Sequence, residues 1–250
     1  MTKIAFVTGA TSGIGLATAL ELAGKGYRII ATGRRAERLQ ELQNKMGEDN
    51  VYFLNFDVRD KVAVQEAVAS LPDNWRNVEV LVNNAGNALG LSPVQDGAID
   101  DWDAMIDINV KGLLYVTKAV LPLMQEQGKG HIVNIGSIAG KEVYPNGNVY
   151  CASKHAVDAL SKAMRMDLVQ QGVKVSEVAP GLVETEFSEV RFKGDSERAA
   201  AVYKGFEPLQ AQDIAELIGF IVTRPAHVNL AEVLVLPTAQ ASSTIVVKEQ

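Results

Sequence analysis

Short apolar runs alternate with longer segments of helical composition along the whole chain. The apolar runs cover 3–8, 28–32, 51–56, 79–83, 131–135, 173–178 and 233–236. The segments between them include an alanine- and leucine-rich helix after residue 13 and the helical stretches 36–46, 62–71, 101–127, 149–171 and 212–223. Repeated strand–helix units predict one doubly wound parallel sheet, Rossmann-like, with about seven strands and helices on both faces. We expect one α/β domain over residues 1–250, because such folds reach this size without splitting.

A glycine, a proline or a polar residue lies one or two positions after six of the seven predicted strands. These strand-end residues are Gly9, Arg34, Asp57, Asn84, Ser137 and Pro180. Ligands of parallel sheets bind beyond the carboxyl ends of the strands. The pattern therefore predicts one ligand site at this edge of the sheet.

Composition narrows the class of protein. A net charge of −6 argues against non-specific binding to nucleic acid or to an anionic membrane surface. No stretch approaches the ~20 apolar residues of a membrane span. The single cysteine, Cys151, excludes an internal disulfide and fits a reducing, cytoplasmic compartment. None of the three histidines has a metal-like spacing with other ligands, so we expect no metal.

The first strand is followed by a glycine-rich turn and then by a helix. Gly9, Gly13 and Gly15 let the backbone approach a ligand closely, and the first N–H groups of the helix favour negative charge. This arrangement predicts a cradle for the pyrophosphate of a dinucleotide. The alternative is a tight turn without a ligand.

The residues after the second strand indicate which dinucleotide binds. An enzyme that uses NAD usually places a carboxylate there for the ribose hydroxyls. This chain instead has Arg34 and Arg35 and no acid. Guanidinium groups suit a phosphate through fork-shaped hydrogen bonds, so we predict NADP. The alternative is a pair of solvated arginines at a helix start.

Tyr150 and Lys154 are four residues apart in a predicted helix, and Ser137 follows an apolar strand. Positions i and i+4 share a helix face, so the ammonium is expected beside the phenol. A nearby cation favours the phenolate and lowers the tyrosine pKa from ~10 towards the working range. Ser137 would then hold the substrate oxygen. Such a pair also arises by chance on a solvated helix, and only the rest of the chain decides between the two.

With these motifs in view, the chain resembles the short-chain dehydrogenase/reductase family over essentially its full length. The resemblance implies cofactor contacts from the glycine-rich turn, the arginine pair and the motifs that follow later strands. These residues are Gly9, Thr11, Ser12, Gly13, Ile14, Gly15, Arg34, Arg35, Asp57, Val58, Asn84, Ala85, Gly86, Tyr150, Lys154, Pro180, Gly181, Val183 and Thr185. Within this set, Asp57 and Val58 resemble the family's adenine contact, and the turn that begins at Pro180 resembles the one that holds the nicotinamide carboxamide.

The same resemblance implies a catalytic tetrad of Asn109, Ser137, Tyr150 and Lys154. Tyr150 would take the hydroxyl proton in oxidation and donate it in reduction. Lys154 would bind the nicotinamide ribose, and Asn109 would fix a water that joins Lys154 to solvent. For Asn109 the alternative is a helix kink or a satisfied core amide.

More narrowly, segments 32–35, 147–150 and 186–195 resemble the branch that acts on 3-hydroxy acids with NADP. This implies hydride transfer between nicotinamide and the hydroxyl carbon of a small 3-hydroxy acid, such as serine, allo-threonine, 3-hydroxypropionate or 3-hydroxyisobutyrate. A broad aldehyde/ketone or acyl-carrier ketone reductase is the alternative enzyme. A dinucleotide-binding redox sensor is the alternative outside catalysis, although a sensor would not need Ser137, Tyr150 and Lys154.

A hydroxy acid brings a carboxylate that must be neutralised in a closed pocket. The charged segment of about 182–208 is the expected lid, with Gly194 and Gly205 as possible hinges. Arg191 is the first candidate for the carboxylate, with Ser137 and Tyr150 on the reacting oxygen. The competing interpretation pairs Arg191 with Glu186 or Glu189, and Lys141 and Lys193 are the next candidates.

Helices around 111–124 and 149–166 carry apolar or small residues on more than one face. A helix that is apolar around much of its circumference is usually buried on both sides. Together with the family resemblance, this predicts a homotetramer with two-fold axes. The alternative is that the monomer itself covers both faces.

Overall fold

The computed structural model describes residues 3–249, and its centre is a parallel sheet of seven strands. The strands are β1 (Ile4–Thr8), β2 (Arg28–Gly33), β3 (Val51–Asn55), β4 (Val78–Asn83), β5 (Gly130–Ile135), β6 (Val173–Pro180) and β9 (Glu232–Val235). Their order across the sheet is β3-β2-β1-β4-β5-β6-β9. The order reverses between β1 and β4, which opens a crevice at the carboxyl ends of these strands. The predicted doubly wound α/β sheet is confirmed.

Helices cover both faces of this sheet. They are α1 (Gly13–Gly24), α2 (Ala36–Met46), α3 (Lys61–Ala69), α4 (Ile99–Ile106), α5 (Leu113–Gln125), α6 (Asn148–Leu168), α7 (Phe187–Arg191), α8 (Ser196–Tyr203) and α9 (Ala211–Val222). Side chains of a strand alternate between faces, so Ile4 and Phe6 pack with α3, α5 and α6, whereas Ala5 and Val7 pack with α1, α2 and α9. None of the described helices is long and apolar enough to cross a membrane.

The stretch predicted to be helical over 101–127 is helical from Ile99 to Gln125, but its winding is not uniform. A π-helical turn, Asp107–Gly112, separates α4 from α5. Gly112 lies against Val58, whose side chain comes within 2.7 Å of the position that a Cβ of residue 112 would occupy. Val58 follows β3, so the π-helical turn forms where the helix packs closely against the residues after that strand. The other predicted ends coincide with the observed ones or differ from them by at most three residues.

The predicted lid, 182–208, contains one short strand and two helices, and a second short strand follows it directly. β7 (Val183–Glu184) pairs in parallel with β8 (Leu209–Gln210), which brings the two ends of the segment together. The helices α7 and α8 lie between these strands in the chain. Gly194 and Gly205 have φ values of 91° and 87°, in the left-handed region that favours glycine. Both proposed hinge positions therefore have a backbone that only glycine adopts without strain.

Candidate active site

A cavity of about 730 Å³ lies at the carboxyl edge of the sheet, where the sequence predicts the ligand site. Of the predicted site residues, all except Gly15 and Asn109 line it. The cavity runs from Arg34 after β2, past the glycine-rich turn, to Tyr150 and Arg191 under the lid. Residues from six strand ends and from the lid therefore meet in one place.

The glycine-rich turn is held in shape by Asn84. Its Nδ2 donates to the carbonyl oxygens of Thr8 at 2.9 Å and Gly9 at 3.3 Å. A Cβ at residue 15 would lie 2.2 Å from the Gly9 oxygen, so only glycine fits there. Gly15 thus packs against the backbone of Gly9 and does not line the cavity. The turn ends at the first residues of α1, and this open backbone before a helix start fits a dinucleotide pyrophosphate.

The two arginines after β2 point in different directions. The Arg34 side chain is 57% exposed, and its nearest acid is Asp57 at 4.0 Å. Arg35 turns towards the glycine-rich turn, where Nη2 donates to the hydroxyls of Ser12 at 2.7 Å and Thr11 at 2.9 Å, and Nη1 donates to Glu186 at 2.8 Å. Arg34 therefore keeps more free donors than Arg35.

Asp57 and Val58 lie at the end of the cavity that contains Arg34. The Asp57 carboxylate accepts a hydrogen bond from Nη2 of Arg59 at 2.6 Å. Val58 is buried and contacts the π-helical turn through Gly112. The placement agrees with the adenine end of a dinucleotide, and the contact itself stays a prediction.

Ser137, Tyr150 and Lys154 are close together at the other end of the cavity. Ser137 caps a short 3₁₀ turn, Ile138–Gly140, by accepting the N–H of Ala139 at 3.1 Å. Tyr150 and Lys154 share one face of α6, and both are buried. The Lys154 ammonium donates to the carbonyl of Ile135 at 2.9 Å and lies 6.0 Å from the centre of the Tyr150 ring.

Burial controls the ionisation of this pair. It raises the pKa of Tyr150, and the hydrogen bond from Ser137 and the charge of Arg191 only partly oppose this rise. Burial also lowers the pKa of Lys154 to about 8, although the charge of Glu177 opposes this shift. We expected Lys154 to lower the tyrosine pKa. In the chain without cofactor, burial of the phenol dominates, and the Lys154 ammonium donates to the Ile135 carbonyl. The effect of Lys154 on the tyrosine with the cofactor bound stays a prediction.

Asn109 lies behind the cavity wall, in the π-helical turn. Its Oδ1 accepts the N–H of Asn87 at 2.9 Å, and its Nδ2 donates to the Asn87 carbonyl at 2.8 Å and to Ser153 Oγ at 3.0 Å. Gly86 separates it from Lys154: a Cβ at residue 86 would lie 2.9 Å from Asn109 Oδ1 and 3.7 Å from the ammonium. The Asn109 amide is buried and satisfied, as one alternative for this residue expected, and it lies in a π-helical turn. Its role in fixing a water stays a prediction.

The lid places Arg191 beside Tyr150. The guanidinium lies 5.6 Å from the centres of both the Tyr144 and Tyr150 rings, donates to Tyr144 Oη at 3.1 Å and donates to the carbonyl of Gly90 at 3.2 Å. In turn, the N–H of Gly90 donates to the carbonyl of Arg191 at 2.9 Å. Within residues 3–249, no carboxylate forms an ion pair with Arg191, so pairing with Glu186 or Glu189 is not observed.

The other candidate cations are already paired. The Lys141 ammonium contacts the carboxylates of Asp158, Glu177 and Glu232, and that of Lys193 lies 2.9 Å from Asp101. Only Arg191, of the three cations proposed from the sequence, is both in the cavity and available to a substrate carboxylate.

Sequence reasoning missed several residues of the site. Tyr144, Gln240 and Ser243 line the cavity, and Arg38 contacts the lid from α2. Tyr144 precedes α6 in an irregular segment, and Gln240 and Ser243 follow the last strand of the sheet. No spacing or strand-end position marks any of them in the sequence.

Comparison with known proteins identifies the family. A family model described as short chain dehydrogenase matches residues 3–196. The chain belongs to the short-chain dehydrogenase family. Among its relatives, an NADP-dependent 3-hydroxy acid dehydrogenase YdfG of Salmonella typhi is 49% identical over 95% of this chain and 96% of its own length. Sulfoacetaldehyde reductase 2 of Chromohalobacter salexigens is also 49% identical, over 99% of both chains.

A solved short-chain dehydrogenase structure also matches. It is the closed form of a serine dehydrogenase in complex with NADP+, and it is 46% identical. The match covers 99% of this chain and 100% of the other, with a TM-score of 0.94. The narrower resemblance stated from the sequence is therefore confirmed.

Proposed function

We propose that this short-chain dehydrogenase transfers a hydride between NADP and the hydroxyl carbon of a small 3-hydroxy acid, with serine, allo-threonine, 3-hydroxypropionate and 3-hydroxyisobutyrate as candidates. The enzyme class and cofactor predicted from the sequence, an NADP-dependent oxidoreductase that acts on hydroxyl groups, are confirmed by the family and its relatives. The proposal therefore concerns the substrate and the role of each residue.

The unpaired Arg191 carries this proposal. The Arg191 guanidinium lies beside Tyr150 and has no carboxylate partner among the described residues. An uncharged substrate that covered it would bury an unpaired charge, which costs free energy. Its hydrogen bonds to Gly90 and Tyr144 occupy Nε and one N–H of Nη2, so Nη1 and the second N–H of Nη2 stay available. A planar fork of this kind binds a carboxylate in two-point fashion.

The residues around Arg191 then have defined tasks. NADP, when bound, supplies the hydride acceptor or donor. Ser137 would orient the reacting oxygen, and Tyr150 would exchange a proton with that oxygen. Because burial raises the pKa of Tyr150, the chain favours the neutral phenol, which is the form that donates a proton in reduction. Oxidation needs the phenolate, and Lys154 is the cation on the same helix face that would favour it.

A sulfonate is the second anion that this site could accept. The relative named sulfoacetaldehyde reductase is as similar as the hydroxy acid dehydrogenase, and Arg191 would bind either anion. A broad carbonyl or acyl-carrier ketone reductase would not use Arg191 in this way.

A substrate panel tests the proposal. Turnover of the wild-type enzyme would be measured with 3-hydroxy acids, sulfoacetaldehyde, an uncharged aldehyde and a 3-ketoacyl thioester, each with NADP(H) and NAD(H). We expect the highest kcat/KM for a 3-hydroxy acid with NADP. A clear preference for the thioester or for uncharged carbonyls would reject the proposal, and a preference for sulfoacetaldehyde would replace the carboxylate by a sulfonate.

A further inference from the structure

Glu186 joins the lid to the cofactor side of the cavity. Its two carboxylate oxygens accept hydrogen bonds from two different arginines, Arg35 Nη1 at 2.8 Å and Arg38 Nη1 at 2.6 Å. These contacts lower the pKa of Glu186 to about 2, although partial burial acts in the opposite direction. The carboxylate is therefore charged over the whole physiological pH range.

The arginines extend this connection to the glycine-rich turn. Arg35 also donates to the hydroxyls of Thr11 and Ser12, and Arg38 donates to the carbonyl of Thr11 at 3.3 Å. Beside Glu186, the methyl group of Thr185 would lie 3.3 Å from a Cβ at residue 13. The start of the lid thus crosses directly over the turn that is predicted to hold the pyrophosphate.

Glu186 is also adjacent to the helix that carries Arg191. It stands immediately before α7, which begins at Phe187 and ends at Arg191. The ring of Phe187 packs against that of Tyr150, with the two ring centres 5.7 Å apart. Because Glu186 is the N-cap residue of α7 and Arg191 is its last residue, a contact that holds Glu186 also restrains the position of Arg191.

We propose that Glu186 is a positioning residue that latches the lid over the bound cofactor, with Arg35 and Arg38 as its partners. Arg34, which is mostly exposed and whose nearest acid is Asp57 at 4.0 Å, then binds the 2′-phosphate. In this division of roles, Arg35 serves lid closure instead of the choice between NADP and NAD. The latch would thus hold Arg191 in its position beside Tyr150 while the cofactor is bound under the lid.

The alternative is that the same Glu186 contacts oppose cofactor binding. Glu186 could occupy the phosphate position as an internal competitor and leave when NADP binds. The chain, in which the Glu186 contacts are formed, matches the closed form of a serine dehydrogenase in complex with NADP+ at a TM-score of 0.94. This overall likeness agrees with a latch that coexists with the cofactor, and the NADPH affinity of Glu186→Gln decides between the two roles.

The test compares Glu186→Gln with Glu189→Gln. Glu189 lies on the same short helix and is exposed, and the described structure shows no ion pair for it, so the second variant removes the same charge without touching the latch. Dissociation constants for NADPH and NADH would be measured by fluorescence, together with KM and kcat for a 3-hydroxy acid.

For Glu186→Gln we expect a KM for the hydroxy acid about threefold to tenfold higher, a smaller change in kcat, and equal weakening of NADPH and NADH. Glu189→Gln should match the wild type. Arg38→Met should reproduce part of the Glu186→Gln effect, because Arg35 still binds Glu186 in that variant. The double variant should lose little more than Glu186→Gln alone, because the Arg38–Glu186 interaction is then already absent. The charge exchange Glu186→Arg with Arg38→Glu should recover part of the loss.

Tighter NADPH binding by Glu186→Gln, with NADH unchanged, would overturn the latch in favour of the competitor. Equal effects of the two glutamate substitutions would also overturn it. The substrate measurement rests on the proposed function, but the cofactor measurement does not. If the wild type shows no preference for anionic substrates, the proposed function fails while the NADPH and NADH constants still decide the latch.

Discussion

Replacing Tyr150 by phenylalanine tests the chemistry of the site with little disturbance of the fold. The ring is buried, packs on Phe187 and keeps its volume in the variant, so only the hydroxyl is lost. The Tyr150 hydroxyl interacts with Ser137, and losing one such hydrogen bond costs about 1 kcal/mol of stability. Removal of a general acid–base typically lowers turnover by ~10²–10⁴-fold.

The assay would measure kcat with a 3-hydroxy acid, the dissociation constant of NADPH and the thermal midpoint of unfolding. Tyr144→Phe is the matched control, since its hydroxyl contacts Arg191 instead of the reacting group. We expect Tyr150→Phe to lose kcat but to keep cofactor affinity, and Tyr144→Phe mainly to raise KM. Near-normal kcat in the purified Tyr150→Phe protein would refute the assignment of Tyr150 as the proton donor and acceptor.

Three further outcomes are expected. Arg34→Leu should weaken NADPH by about tenfold to a hundredfold and leave NADH nearly unchanged, because charge-assisted hydrogen bonds contribute ~1.5–3 kcal/mol and 1.4 kcal/mol is tenfold; equal losses measured by fluorescence titration would contradict this. Lys154→Met should raise the melting temperature at pH 7, since burial lowers the lysine pKa to about 8 and the folded state bears the cost of the ammonium below that pH. This gain should shrink as the pH rises from 8 to the ordinary lysine pKa near 10.5, and a pH-independent difference would argue against the lowered pKa. Light scattering at micromolar concentration should give the mass of a tetramer, because Leu114 on α5 and Met166 on α6 are exposed in the single chain, and a monomeric mass would refute the assembly.

Much of the fold followed from local patterns. Strand residues such as Ile4 to Val7 are apolar throughout because both sheet faces are covered, and this produces the short apolar runs that predicted the sheet. The placement of Tyr150 and Lys154 on one face required only the helical repeat. The convergence of strand-end residues required only that all strands be parallel.

What could not be predicted depends on contacts between distant parts of the chain. The π-helical turn at Asn109 forms where Gly112 packs against Val58, and no local propensity indicates that contact. The raised pKa of Tyr150 follows from how completely the fold buries the phenol. The sequence could suggest Arg191 for the substrate carboxylate, but its partners, Gly90 and Tyr144, became known only when the lid was placed.

The central claim is that Arg191 binds the anionic group of the substrate, and Arg191→Leu tests it most directly. The steady-state constants would be measured for a 3-hydroxy acid and for an uncharged alcohol or aldehyde. Arg198→Leu is the control, because its guanidinium also lies on the lid but packs over Phe192, 4.4 Å from the ring centre. The account predicts that Arg191→Leu raises KM for the hydroxy acid at least about tenfold, from the loss of charge-assisted hydrogen bonds, with little change for the uncharged substrate. Equal losses for both kinds of substrate would contradict it and would make Arg191 a structural residue of the lid.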